Sequence, residues 1–276
     1  MDNATFTSLA TGLLVLVGLA QAAVLVGQRR QQRLDWSEVY RRRWAEAKED
    51  FAKVVFLGRQ HGAYYQVADP ELIQKLNLAV AESSLHTPTI WALASVRNVC
   101  GILSDICQRI MQGQLHVQEA YPLFGTEFLR HSAALRSILD GSYLPNYGRL
   151  GPSDVEKLHE SVRQEVKTWL VCHDGIRRRC LILIDLLWAE AARLEDLPPA
   201  DLTRAAEAKK TTGKRNRTRL LNEVLRLNGL FAIFRGLRLS RFLRHAEYRR
   251  SIRRIGLNPK RLEMLETEWT SRYLGS

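Results

Sequence analysis

The sequence predicts an all-α protein in which a single amino-terminal transmembrane helix precedes a cytoplasmic helical-bundle domain. Three observations predict it. An uncharged apolar run near the amino end is long enough to cross a bilayer. Apolar residues elsewhere recur at three- and four-residue steps, and no series of segments alternates with the period of two that strands require. At 276 residues, 46% hydrophobic and 25% charged, the chain has the make-up of a folded protein and not of a disordered one.

The first element is the run itself. No charged side chain occurs from Asn3 to Gln28, and the mostly apolar stretch Phe6 to Val26 makes a helix about 31 Å long. Ala20-Gln21-Ala22 has the small-x-small form of a signal cleavage site. Two features favour a retained anchor over a cleaved signal: Met1 to Ser8 carries Asp2 and no base, and the apolar run continues through Ala23-Val24-Leu25-Val26. Arg29, Arg30, Arg33, Arg41, Arg42 and Arg43 follow, so the positive-inside rule places the amino end outside and the rest in the cytoplasm of a cell-membrane protein.

Trp36, Tyr40, Trp44, Ala47, Phe51, Val54 and Val55 then form the stripe of a long amphipathic helix running on from the span, with Trp44 and Phe51 expected in the core. Asp69-Pro70 and Thr87-Pro88 are helix starts, and the second opens a broadly apolar segment that ends at Gly113. "TEFLRHSAALRSILDG" predicts another helix, and Ser153-Asp154-Val155-Glu156 fits a capping box for one carrying Leu158, Val162, Val166 and Trp169. His173-Asp174-Gly175 breaks that helix. Ile176 to Glu195 forms the next, and its apolar stretch "CLILIDLLWAEAA" (Cys180–Ala192) is too short for a second span and contains Asp185 and Glu190.

From Ala208 to Arg219, "AKKTTGKRNRTR" has no large apolar residue and reads as a solvated loop. After it Leu220, Val224, Leu227, Leu230, Phe231, Phe234 and Leu237 fall on one helical face, and Asn258-Pro259 opens a last helix with Leu262, Leu265, Trp269 and Tyr273 on its seam. Three regions follow: an anchor at 1–28, a helical domain at 29–200 and a basic helical region at 201–276.

Charge separates the last region from the others. Residues 1–200 carry 22 Lys and Arg against 22 Asp and Glu, and residues 201–276 carry 19 against 7, so the whole net charge of +12 lies there. Arg235, Arg238, Arg241, Arg244, Arg249, Arg250, Arg253 and Arg254 are the candidate binding residues. Such a field attracts anionic lipid, an acidic protein or nucleic acid, although no nucleic-acid motif accompanies it. A solvated basic face on a core helix is the alternative.

Val96–Asp140 sets a central helix, a break at Gln112-Gly113, a short helix ending in Leu123-Phe124-Gly125 and a further helix in order. That order resembles a family of uncharacterised bacterial proteins with an amino-terminal membrane anchor and a helical domain of unknown function, over about residues 29–140. The resemblance implies an anchored helical architecture and no catalytic residues.

Chemistry-bearing motifs are few. The chain has no HExxH, GxSxG, Walker or dinucleotide-binding pattern, and Gly213-Lys214 lacks the rest of a phosphate loop. Asp185 in "LILIDLLW" is a candidate general acid, or else it pairs with an arginine such as one of Arg177 to Arg179 or lies at the edge of the buried face. His159-Glu160 and Cys172-His173-Asp174 offer acid–base or thiol–imidazole parts whose meeting in space no sequence can show. Cys100, Cys107, Cys172 and Cys180 have no metal-ligand spacing and suit a reducing compartment as buried thiols. No cofactor and no metal are expected. The expectation is a membrane-anchored scaffold, sensor or effector that works by binding. The alternatives are a membrane-associated nucleic-acid-binding protein and an enzyme with a site near Asp185.

Overall fold

A computed structural model of the chain describes residues 3–58, 86–140, 154–173, 175–248 and 255–273. Helix α1 (Asn3–Glu46) is followed by α2 (Lys48–Gly58), α3 (His86–Gln112), α4 (Val117–Asp140), α5 (Asp154–Cys172), α6 (Ile176–Leu194) and α7 (Pro199–Asn228). After a 3-10 turn at Leu230–Ala232 come α8 (Ile233–Phe242), a second 3-10 turn at Leu243–Ala246, and α9 (Pro259–Tyr273). The described residues contain no strand, only an isolated bridge between Tyr248 and Leu257. The fold is all-α, as the apolar periodicity predicts.

Helix α1 has two halves of opposite character. From Leu13 to Val26 its large apolar side chains are 45–72% exposed, and it is the one helix among the described residues long and apolar enough to cross a membrane. The same helix continues unbroken to Tyr40 and Trp44, which are buried in the domain. Trp44 meets the rings of Phe51, Phe124 and Phe128 with centroids 4.7–5.5 Å apart, an aromatic cluster joining α1, α2 and α4. Core positions for Trp44 and Phe51 follow the sequence expectation.

The centre of the bundle is α3 against α6. Val99, Cys100, Leu103, Ile106 and Cys107 of α3 and Leu181 to Leu187 of α6 are buried nearly all round, which is why "CLILIDLLW" looks like a membrane segment and is not one. α2 lies so close to α4 that Gly58 abuts the Ala134 carbonyl, and the Ser137 hydroxyl donates to the Gly58 carbonyl at 2.7 Å. α4 contains a break at Gly125, where the "LFG" pattern predicts one. Asp69-Pro70 and Ser153 lie outside the described residues, as do the side chains of Leu158, His159, Trp269 and Tyr273.

The solvated loop expected at 208–219 is instead the middle of α7. Leu202, Ala206, Lys209, Gly213, Asn216 and Leu220 are all buried, spaced alternately by four and three residues along one stripe. That spacing is a helical seam, but Lys209, Gly213 and Asn216 stand in it where apolar residues normally do, so hydropathy does not reveal it. Lys210, Lys214 and Arg215 point outward, and the alanines, lysines and arginines are good helix formers. One apolar core runs from Tyr40 through Leu202 and Val224 to Leu265.

Gly58→Ala forces a methyl group onto rigid backbone and is expected to cost about 1–3 kcal/mol, read as a lower Tm in detergent. Gly12→Ala, with nothing near its Cα, leaves Tm unchanged. Equal effects would mean that α2 and α4 are not in close contact.

Candidate functional site

Many of the basic residues have structural work inside the bundle. The last carbonyls of a helix have no partner within it, and three arginines supply one. Arg163 donates to the Leu57 carbonyl at the end of α2, and Arg177 to the Leu139 carbonyl at the end of α4. Arg235 donates to the Met111 carbonyl at 3.3 Å and the Gln112 carbonyl at 2.6 Å at the end of α3. A cation there also faces the negative end of the helix dipole.

A second set is buried in ion pairs. Asp185, 3% exposed, does pair with an arginine, but it is Arg136 of α4, joined by Lys209 of α7, and not one of the neighbouring Arg177–Arg179. Burial pushes the pKa values of both cations down, and Arg136 further lowers that of Lys209. This cluster cross-links three helices, and as a candidate acid Asp185 is engaged on both sides. Further along α7, Glu223 receives Arg178 at 3.2 Å, Arg179 at 3.5 Å and Arg226 at 2.8 Å. Burial alone would raise its carboxyl pKa, but the hydrogen bonds and charges of Arg226 and Arg178 prevail and hold it below the ordinary value.

A further group of basic residues gathers beside α1. An open cleft of about 900 Å³ lies between the point where its apolar run ends and the start of α8. Val26, Arg29, Arg33 and Trp36 line it from α1, with Arg109 and Arg235 opposite. The Arg109 guanidinium stacks 3.4 Å from the Trp36 ring centre and donates to the Tyr40 hydroxyl at 2.6 Å. That hydroxyl donates to Asp105 at 2.7 Å, and burial with this bond pushes the Tyr40 phenol up to about 12. Tyr40 is therefore fully in the core and Trp36 partly exposed at the cleft.

Of the candidate arginines, Arg235, Arg238 and Arg241 line a joined pair of clefts, the second of about 650 Å³ and sharing Gly113, His116 and Arg235 with the first. Arg244 turns away into a different basic cleft with Lys210, Lys214 and Arg217. Arg249, Arg250, Arg253 and Arg254 lie outside the described residues. Arg29, Arg33 and Arg109 join the site without having been singled out as binding residues. The first two were visible as the charge step after the apolar run. Arg109 had no signal of its own.

Among the described residues no three His, Cys, Asp or Glu side chains are placed to hold a metal ion. Cys100, Cys107 and Cys180 are buried, with burial raising the Cys107 and Cys180 thiols, and Cys172 is exposed at the end of α5. Set against known proteins, the chain matches no family model, and no curated protein and no solved structure matches it.

Because the folded-state pKa of Glu223 is depressed, its stabilisation is complete above the unfolded carboxylate range, about 4.3, and is lost as pH falls through the folded value. Glu223→Gln is expected to cost about 3 kcal/mol at neutral pH and to flatten the acid limb of denaturant stability. An unaltered limb would show that Glu223 does not carry it. Maleimide should modify one thiol per native chain, at Cys172; modification of two or more would place another cysteine at the surface.

Proposed function

We propose that the protein is a single-pass membrane protein whose amino end lies outside and whose helical domain lies in the cytoplasm. There it works by binding, as a scaffold, sensor or effector, with its basic carboxy-terminal region on the anionic inner leaflet. One observation carries this reading: Arg235 of that region lines the same cleft as Val26 and Arg29, where the apolar half of α1 gives way to charge. A basic surface at this point meets lipid headgroups at the effective concentration set by the tether. Arg238, Arg241 and Arg244 are exposed and, among the described residues, form no ion pair, so their charge faces outward undiminished.

An acidic protein could bind the same surface, and nucleic acid is the rival class. Lipid is favoured by position, since the clefts open beside the apolar helix and no nucleic-acid motif is present.

Among the described residues, the chain from residue 28 onward keeps every buried side chain, because residues 11–27 are all exposed. It is expected to float with phosphatidylserine vesicles and not with phosphatidylcholine vesicles, less so as salt rises. Each basic residue near an anionic surface contributes about 1 kcal/mol, so Arg238→Ala with Arg241→Ala should lower partitioning roughly 30-fold. Equal floating with both vesicle types would end the headgroup reading. Salt-sensitive RNA binding without vesicle binding would favour the rival.

A further inference from the structure

The stripe Leu220 to Leu237 does not form one core face. Leu220 and Val224 are buried, but Leu230 is 79%, Phe231 101%, Phe234 81% and Leu237 51% exposed. The change of direction comes at Gly229, whose φ of 72° ends α7 in a conformation that side-chain-bearing residues avoid. Beyond it the small residues turn inward: Ala232 is buried, and Gly236 packs on Leu221 and Val224. Small residues inside and phenylalanines outside invert the usual order of a helix on a water-facing surface.

The position of this face gives it a meaning. α3 runs antiparallel to α1, since Trp36 meets Arg109 and Tyr40, one turn on, meets Asp105, one turn back; Asp50, near the start of α2, meets Asn98 further back still. The carboxyl end of α3 therefore points the way the apolar half of α1 leaves the domain. Asn228 and Arg235, on either side of the phenylalanine turn, both bond the Met111 carbonyl at that end, each at 3.3 Å. Arg235, Arg238 and Arg241 flank the same apolar residues.

We propose that Leu230, Phe231, Phe234 and Leu237 insert into the headgroup–acyl boundary of the leaflet that α1 leaves, as a second membrane contact lying in the plane of the bilayer. Rings and leucines enter the acyl boundary while Arg238 and Arg241 extend to phosphates, the arrangement of an interfacial amphipathic helix. A two-fold pairing of this face with a second copy would bring the same arginines against one another, like charge to like. The proposal rests on α1 being seated in a bilayer, and its test separates the two.

The test uses the full chain in phosphatidylserine-containing nanodiscs, with Cys172→Ser removing the exposed thiol. A nitroxide is attached in turn at Leu14→Cys, Phe231→Cys, Phe234→Cys and Glu263→Cys, and its collisions with oxygen and with a water-soluble nickel chelate are compared. Oxygen should exceed nickel at positions 14, 231 and 234, and nickel should exceed oxygen at 263. Position 14 inside the bilayer with 231 and 234 as nickel-accessible as 263 would overturn the insertion and leave the anchor standing. Spin–spin broadening at 231 and 234, with both collision partners excluded, would assign the face to a second copy and overturn it as well. Nickel access at 14 would remove the anchor and the proposal together.

Discussion

Everything in the molecule depends on α1 being one helix with two surroundings, an exposed apolar first half and a second half that packs into the core of the domain. Its first half presents leucine and valine on every side, which water does not favour. Its second half places Tyr40 and Trp44 in a core built from α2, α3 and α4. No loop separates the halves, so the packing that holds Trp44 against Phe124 and Phe128 also sets the direction in which the apolar half leaves the domain. The cleft between Val26 and Arg235 lies where that direction carries the apolar half away from the domain.

Charge is organised by a second constraint. Removing a carboxylate from water costs several kcal/mol, and a buried pair recovers it only when both partners are well placed. Asp185 and Glu223 are placed in this way, each with cations from more than one segment, so they specify which helices meet more than they add to stability. Helix ends take further arginines. The net charge of +12 thus overstates what the surface offers, and the arginines outside these roles matter more than the total.

The fold class was legible because it rests on periodicity, which Trp36 to Val55, Val96 to Ile110 and Ile176 to Glu195 display openly. The apolar run was legible from length and composition. The 208–219 segment was not, since its inward stripe is made of Lys209, Gly213 and Asn216, residues whose burial depends on partners far along the chain. Lys209 is tolerable inside only because Asp185 is there. The outward turn of Phe231 and Phe234 was equally hidden, because an exposed apolar stripe and a buried one read alike. Of the site, Arg235, Arg238, Arg241 and Arg244 could be named from charge alone, but the turning of Arg244 into a separate cleft, and the use of Arg235 to finish α3, depend on tertiary contacts.

A rod fused to its load has no hinge at which to absorb a change of angle. Helices answer a thinner bilayer by tilting. If α1 crosses one, each degree of tilt is passed undiminished to the domain, lowering one edge toward the headgroups and lifting the other. Bilayer thickness would then select which of the two basic clefts meets lipid, making the packing of Trp44 a mechanical transmission between membrane and surface.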